Sequence, residues 1–105
     1  MSWSSYYKKK DLNHAGIVKD LKQIPGISVL DISSLGKGCG DILVGYRNLN
    51  FLFEIKQPSQ KNKFTKAEKY FHLSWNGQIA TVTSSKEILN ILNNFFKSSQ
   101  VNFDD

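Results

Sequence analysis

Three residues of this chain have the types and spacing for metal-assisted hydrolysis: Asp41, Glu54 and Lys56. Glu54 and Lys56 stand two positions apart in an apolar run, so on a β-strand both side chains project from the same face. A buried carboxylate and ammonium are costly unless they pair or bind a metal. The spacing therefore indicates either an active site or an ordinary ion pair on a solvated strand face, and from the residues alone both interpretations stay open.

The active-site interpretation corresponds to phosphodiester hydrolysis. Asp41 and Glu54 offer the hard oxygen ligands that Mg²⁺ prefers, and the backbone carbonyl of Ile55 could add a neutral ligand. A metal held there would activate a water molecule and neutralise charge on the phosphate. Lys56 could orient or deprotonate that water, or stabilise the transition state.

The elements that must position these residues follow from the periodicity of apolar residues. The patterns favour a helix that starts at Asp11 and ends at Pro25-Gly26, and two more that begin near Thr65 and Ser84. Glu68 and Glu87 follow these two residues at the spacing of a capping box. Four strand candidates lie at 27–32, 41–46, 51–56 and 78–83, with a tight turn at 47–50. If the turn makes a hairpin, Asp41 comes alongside Glu54 and Lys56. We therefore predict an α/β fold of order α-β-β-β-α-β-α, with a four-stranded mixed sheet flanked by helices.

Length and composition limit the partners. The 105 residues suit a single domain, and such a small domain would gain stability from forming a homodimer. Fourteen Lys and Arg against nine Asp and Glu give a net charge of +5, which favours polyanions such as nucleic acid. Cys39 is the only cysteine, so an internal disulfide is excluded. No signal peptide or membrane-spanning run is visible, which predicts a cytoplasmic protein with no membrane partner.

Several basic residues are candidates for contact with phosphates, although a solubilising surface competes with this interpretation. The candidates are Lys37, Lys61, Lys63 and Lys66. The glycine-rich loop that contains Lys37 lacks the spacing of a Walker P-loop, so no nucleotide cofactor is expected. His14 is a possible accessory residue, with a plain surface histidine as the alternative. Residues 1–10 are expected to form a flexible basic arm, and 98–105 a frayed tail.

The run Gly40-Asp41-Ile42, followed by a hairpin and Glu54-Ile55-Lys56, resembles the PD-(D/E)XK nuclease superfamily. Within it, the chain is similar to the small VRR-NUC-type nucleases of phages and prophages over about residues 13–82. The resemblance implies a restriction-endonuclease-like αβββαβ core followed by a C-terminal helix. It also implies that Asp41 and Glu54 bind Mg²⁺ or Mn²⁺ and that Lys56 is the catalytic lysine.

The function implied by this resemblance is metal-dependent cleavage of DNA. The substrate would be structured or branched DNA such as a Holliday junction, cut symmetrically by a homodimer. Such nucleases often carry an acidic residue on the first helix, where this chain has Gly16. The glycine favours an alternative, a DNA-binding module of the same fold with impaired catalysis. A small basic protein-interaction domain is the second alternative.

Overall fold

The structure, a computed structural model, describes residues 12–104, with side chains as far as residue 97. In chain order the elements are α1 (His14–Lys22), β1 (Ile27–Asp31), β2 (Ile42–Tyr46), β3 (Leu49–Ile55), α2 (Lys66–Ser74), β4 (Gln78–Val82) and α3 (Ser85–Asp104). Short 3-10 turns lie at Ser33–Leu35 and Pro58–Gln60. The predicted order of helices and strands is confirmed. The arm expected at residues 1–10, and Asp11, lie outside the described residues.

The four strands form one mixed sheet in the order β1-β2-β3-β4. The first three are antiparallel neighbours, and β4 runs parallel to β3. A parallel pair needs a crossover connection, and the segment containing α2 provides it. The β2–β3 turn is tighter than expected, because Arg47 and Asn48 both adopt positive φ, 52° and 68°. These values are typical of a two-residue type I′ turn, so β3 begins already at Leu49.

The hydrophobic core lies between one face of the sheet and helices α1 and α3. Side chains of β2 and β3 alternate, so every second residue of each strand points to these helices. The core comprises Ile17, Leu21, Ile42, Val44, Phe51, Phe53, Ile55, Val82, Ile88 and Leu92. Burying such side chains stabilises the fold by about 1.5–3 kcal/mol each.

Helix α2 lies on the other side of the sheet and is covered much less. None of its nine residues, all of which the structure describes, is buried. Phe71 stacks on Trp75 with ring centroids 5.1 Å apart, yet Trp75 remains 47% exposed. The aromatic side chains at the end of α2 therefore contact each other, and none is fully buried against the sheet.

The helix ends follow the predicted caps in most respects. The Thr65 hydroxyl accepts a hydrogen bond from the Glu68 amide, and the Glu68 carboxylate accepts one from the Thr65 amide, which confirms the capping box of α2. At α3 the Ser84 hydroxyl accepts a hydrogen bond from the Glu87 amide as expected, but the Glu87 carboxylate accepts one from the Thr83 amide instead of the Ser84 amide. This helix extends to Asp104, through the expected tail. Among the described residues, no helix is both long and apolar enough to cross a membrane.

Candidate active site

The register of the β2–β3 hairpin brings Asp41 and Glu54 to the same face of the sheet. Ile42 pairs with Phe53, so Asp41, the residue before β2, lies opposite Glu54. The Asp41 amide donates to the Phe53 carbonyl at 2.8 Å, and its carboxylate Oδ2 accepts from the Ile55 amide at 2.7 Å. Asp41 and Glu54 are only 7% and 5% exposed. Two buried carboxyl groups thus share the face opposite the hydrophobic core.

Burial and like charge perturb Glu54 strongly. Burial is the largest cause that raises its pKa, to about 8, and the negative charges of Asp41 and Glu68 act in the same direction. The positive charge of Lys56 opposes them without compensating. Glu54 therefore carries a proton at neutral pH unless a further cation enters the site.

The ammonium group of Lys56 lies between two carboxyl groups and an aromatic ring. Its Nζ atom is 2.9 Å from Glu68 Oε1, 3.6 Å from Glu54 Oε2 and 5.4 Å from the centre of the Phe64 ring. Its backbone carbonyl accepts a hydrogen bond from the side chain of Asn13 at 3.2 Å. The β3 strand, α2 and the residue before α1 therefore all help to place the predicted catalytic lysine.

Glu68 is the member of the site that sequence reasoning missed. Burial alone would raise its pKa, but hydrogen bonds from the Thr65 amide and Lys56, with the charge of Lys56, hold that pKa below its usual value. Glu68 is thus the ionised partner of Lys56. The capping box identified Glu68 as a local helix residue, and no local pattern signals its contact with a strand twelve positions away.

Two glycines before Asp41 explain how its loop fits between α2 and β3. A Cβ at Gly38 would lie 2.5 Å from the backbone carbonyl of Ala67, and one at Gly40 would lie 3.2 Å from the Phe53 carbonyl oxygen. Both glycines have positive φ, 74° and 103°. Glycine is required at both positions because protein backbone passes too close to leave room for a Cβ. This close contact determines the path of the chain into Asp41.

The carboxyl oxygens of Asp41 and Glu54 are of the type that binds Mg²⁺ or Mn²⁺, but the described side chains form no site with many protein ligands. Among the side chains of residues 12–97, no group of three or more His, Cys, Asp or Glu is arranged to hold a metal. Asp41 uses Oδ2 for the Ile55 amide, and its Oδ1 atom receives no hydrogen bond from the described residues. Mg²⁺ commonly binds through one or two carboxylates and keeps several waters. Asp41 and Glu54 are two such carboxyl groups on neighbouring backbone segments.

Cys39 adds no reactive thiolate to this site. Burial raises the pKa of its thiol, and the nearby charges of Asp41 and Glu54 raise it further. Cys39 therefore remains a protonated thiol at neutral pH, which is neither a good nucleophile nor a metal ligand.

His14 lies away from these carboxylates, and the expectation of a surface position is wrong. It is 3% exposed, and its Nε2 atom is 3.0 Å from Asp31 Oδ2. Residues three and seven positions apart share a helix face, so His14 belongs to the stripe of Ile17 and Leu21 instead of lying opposite it. Asp31 faces α1 because it pairs with Ile42 of the core face. His14 therefore contributes to the α1 side of the sheet.

The pair of His14 and Asp31 is held by further contacts. Asp31 accepts hydrogen bonds from the amide and the hydroxyl of Ser33, at 3.0 and 2.6 Å. Burial opposes ionisation of Asp31, but these bonds and His14 outweigh it and hold the pKa of the carboxyl well below its usual range. The result is a charged cluster that fastens the end of β1 to α1.

All four predicted phosphate-binding lysines are exposed, but they occupy different surroundings. Lys37 and Lys66 are the sequence neighbours of Gly38 and Ala67, whose backbones are in contact. Ala67 in turn precedes Glu68, the partner of Lys56. Lys63 is exposed in the loop before α2. Lys61 instead forms an ion pair with Glu87 of α3 at 3.2 Å.

Comparison with known proteins identifies no relative of this chain. No protein-family model, curated protein or solved structure matches the chain. The geometry itself consists of two buried carboxyl groups on paired backbone segments and an ammonium group beside one of them. The arrangement places groups of opposite charge, largely shielded from solvent, at one end of the β2–β3 hairpin.

Proposed function

We propose that this chain is a metal-dependent DNA endonuclease with a restriction-endonuclease-like core, which hydrolyses phosphodiester bonds of structured or branched DNA. The observation that supports this best is the placement of Asp41 and Glu54, both buried, on one face of the sheet beside Lys56. A stabilising role accounts poorly for this cluster. Burial raises the pKa of Glu54 to about 8, so its charge destabilises the fold.

The roles of the three residues follow from their surroundings. Asp41 and Glu54 would hold Mg²⁺ or Mn²⁺, together with the Ile55 carbonyl. When bound, the metal supplies an activated water and neutralises charge on the phosphate. To serve as a ligand, Glu54 would give up its proton to solvent, since a nearby cation lowers a carboxyl pKa. The Lys56 ammonium orients the attacking water or stabilises charge on the phosphate oxygens.

The substrate is assigned from charge and from the family resemblance. The net charge of +5 favours a polyanion, and exposed ammonium groups are present at Lys37 and Lys63 in loops and at Lys66 at the start of α2. Contacts of this kind hold the phosphate backbone without reading sequence. A homodimer, as the resemblance implies, would bring two such sites to one junction and cut it symmetrically.

A cleavage assay with matched lysine variants tests the function. The full chain is incubated with plasmid, flapped and four-way DNA, with Mg²⁺ or Mn²⁺ and with EDTA. We expect metal-dependent cleavage, lost by at least about 100-fold in Lys56→Ala. Lys22→Ala is the control, because it removes the same charge from an exposed position at the end of α1. Equal cleavage by wild type and Lys56→Ala, or no cleavage of any DNA, would refute the proposal.

A DNA-binding module with impaired catalysis is the second candidate. It is favoured by Gly16, which stands where the resemblance implies an acidic residue on the first helix. Gly16 is exposed on α1, where an added Cβ would meet nothing within 4 Å, so packing does not require glycine there. Salt-sensitive DNA binding without cleavage would identify this candidate. Absence of DNA binding at low salt would instead favour the protein-interaction domain.

A further inference from the structure

We propose that Glu68 is the positioning residue of Lys56: it holds the lysine ammonium beside the metal-binding carboxylates during catalysis. The inference rests on the proposed nuclease function and adds a residue that the sequence pattern did not assign. Lys56 Nζ is 2.9 Å from Glu68 Oε1 but 3.6 Å from Glu54 Oε2. The stronger contact of the lysine is therefore with α2, outside its own strand.

The two glutamates differ in what they can do for Lys56. Glu54 is a candidate metal ligand, so a bound cation would compete with Lys56 for its oxygens. Glu68 lies on another element and, in this structure, also shares a hydrogen bond with the Glu54 carboxyl group. If a cation occupied Glu54, Glu68 would retain Lys56 as its charged partner. A lysine side chain has a flexible four-carbon stem, so a fixed second anchor limits where its ammonium can go.

Glu68 is itself fixed from two directions. Its carboxylate Oε1 also accepts a hydrogen bond from the Thr65 amide at 2.9 Å, a bond that does not involve the Thr65 side chain. The backbone at Ala67 and Glu68 lies against Gly38, in the loop that leads to Asp41. Glu68 thus connects the position of the lysine to the loop of the first carboxylate, and misplacement by about 1 Å can cost on the order of 100-fold in rate.

Kinetics of two variants separate positioning from helix capping. Glu68→Gln keeps an oxygen that can accept from the Thr65 amide, but removes the charge that holds Lys56. Thr65→Ala removes the hydroxyl half of the capping box and leaves the contact between Glu68 and Lys56. On four-way DNA with Mn²⁺, we expect Glu68→Gln to lower kcat by about 10- to 100-fold with little change in KM. We expect Thr65→Ala to stay within about twofold in kcat while its melting temperature falls.

The possible results distinguish the positioning role of Glu68 from the nuclease function on which it rests. Wild-type cleavage with full activity in Glu68→Gln would refute the positioning role and leave the nuclease assignment intact. Equal loss of kcat in both variants, in parallel with their melting temperatures, would also refute it, because capping alone would then explain the effect. A wild-type protein that cuts no DNA would overturn both the function and this role.

Discussion

The sheet has a closed face under α1 and α3 and a partly open face toward α2. On the closed face, Phe53 and Leu92 are each 1% exposed. On the other face, Leu30 is 59% exposed although it belongs to a row of apolar residues that crosses all four strands. That row is Leu30, Leu43, Leu52 and Ile79.

The difference shows how a small domain can accommodate charges that destabilise it. The apolar contacts that stabilise the fold are concentrated on the closed face. The open face can then hold Asp41, Glu54 and Lys56, whose desolvation costs free energy. Folding and the proposed chemistry thus depend on opposite sides of the same strands, which makes the two roles separable by mutation.

Truncation of the closed face should have the largest effect on stability. Phe53→Ala leaves a cavity where the side chain contacts the core, and we expect the free energy of unfolding to fall by about 3–5 kcal/mol. Urea denaturation followed by tryptophan fluorescence measures it. A loss below about 1 kcal/mol would show that this face is not the main source of stability.

Neutralising the buried glutamate should stabilise the protein at alkaline pH. The pKa of Glu54 is raised to about 8, so between about pH 4.5 and 8 the folded state binds a proton that the unfolded state has released. The stability from this group is therefore present below pH 4.5 and is lost as pH rises through 8. We expect the free energy of unfolding of Glu54→Gln to exceed that of wild type by about 1–3 kcal/mol at pH 8.5 and to equal it at pH 4.

The same denaturation curves give the control for this comparison. Asp31 and Glu87, whose pKa values are lowered, change stability with the opposite sign and are present in both proteins. Subtracting wild type from Glu54→Gln at each pH therefore removes the contributions of Asp31 and Glu87 and leaves that of Glu54 with the groups in contact with it, Glu68 and Lys56. A difference that does not grow with pH would contradict the assignment of a buried, neutral carboxyl group.

Breaking the cluster at the end of β1 should have an intermediate effect. Asp31→Ala removes the acceptor for His14 and for two hydrogen bonds from Ser33, and we expect a loss of about 1–2 kcal/mol at pH 7. Because the pKa of Asp31 lies well below its usual range, its contribution is lost as pH falls below about 4. The gap between variant and wild type should therefore narrow at pH 2, as measured by urea denaturation. A constant gap would indicate packing instead of charge.

Polar substitution on the open face should have the smallest effect. Leu30→Ser changes a side chain that is 59% exposed, and we expect a change within about 0.5 kcal/mol in the free energy of unfolding. The measurement is made at two protein concentrations. A larger loss that depends on concentration would show that a second copy covers this face in solution.

The sequence predicted features that depend on one element or one hairpin. Alternation along β3 separated Glu54 and Lys56 from the core, and the hairpin brought Asp41 opposite Glu54. The capping box at Thr65 was also visible, because its two bonds span three residues. Such patterns fix directions along a strand or helix, and the structure confirms them.

Contacts between elements were beyond the reach of these patterns. Periodicity does not show that α2 lies close enough for Glu68 to bind Lys56, or that the backbone of α2 approaches Gly38. The misplacement of His14 has another origin: a polar residue was assigned to the solvent face, although its spacing placed it on the buried stripe. A buried histidine requires a partner, and Asp31 supplies it from another element.

The two-residue turn at Arg47 and Asn48 constrains which insertions and deletions the hairpin can tolerate. The turn fixes the register in which β2 and β3 pair, and successive side chains along a strand point to opposite faces of the sheet. Deleting one residue between Asn48 and Glu54 would direct the carboxylate into the apolar core, whereas removing two would retain its face. Related chains that keep this chemistry should therefore vary in hairpin length by even numbers of residues per strand.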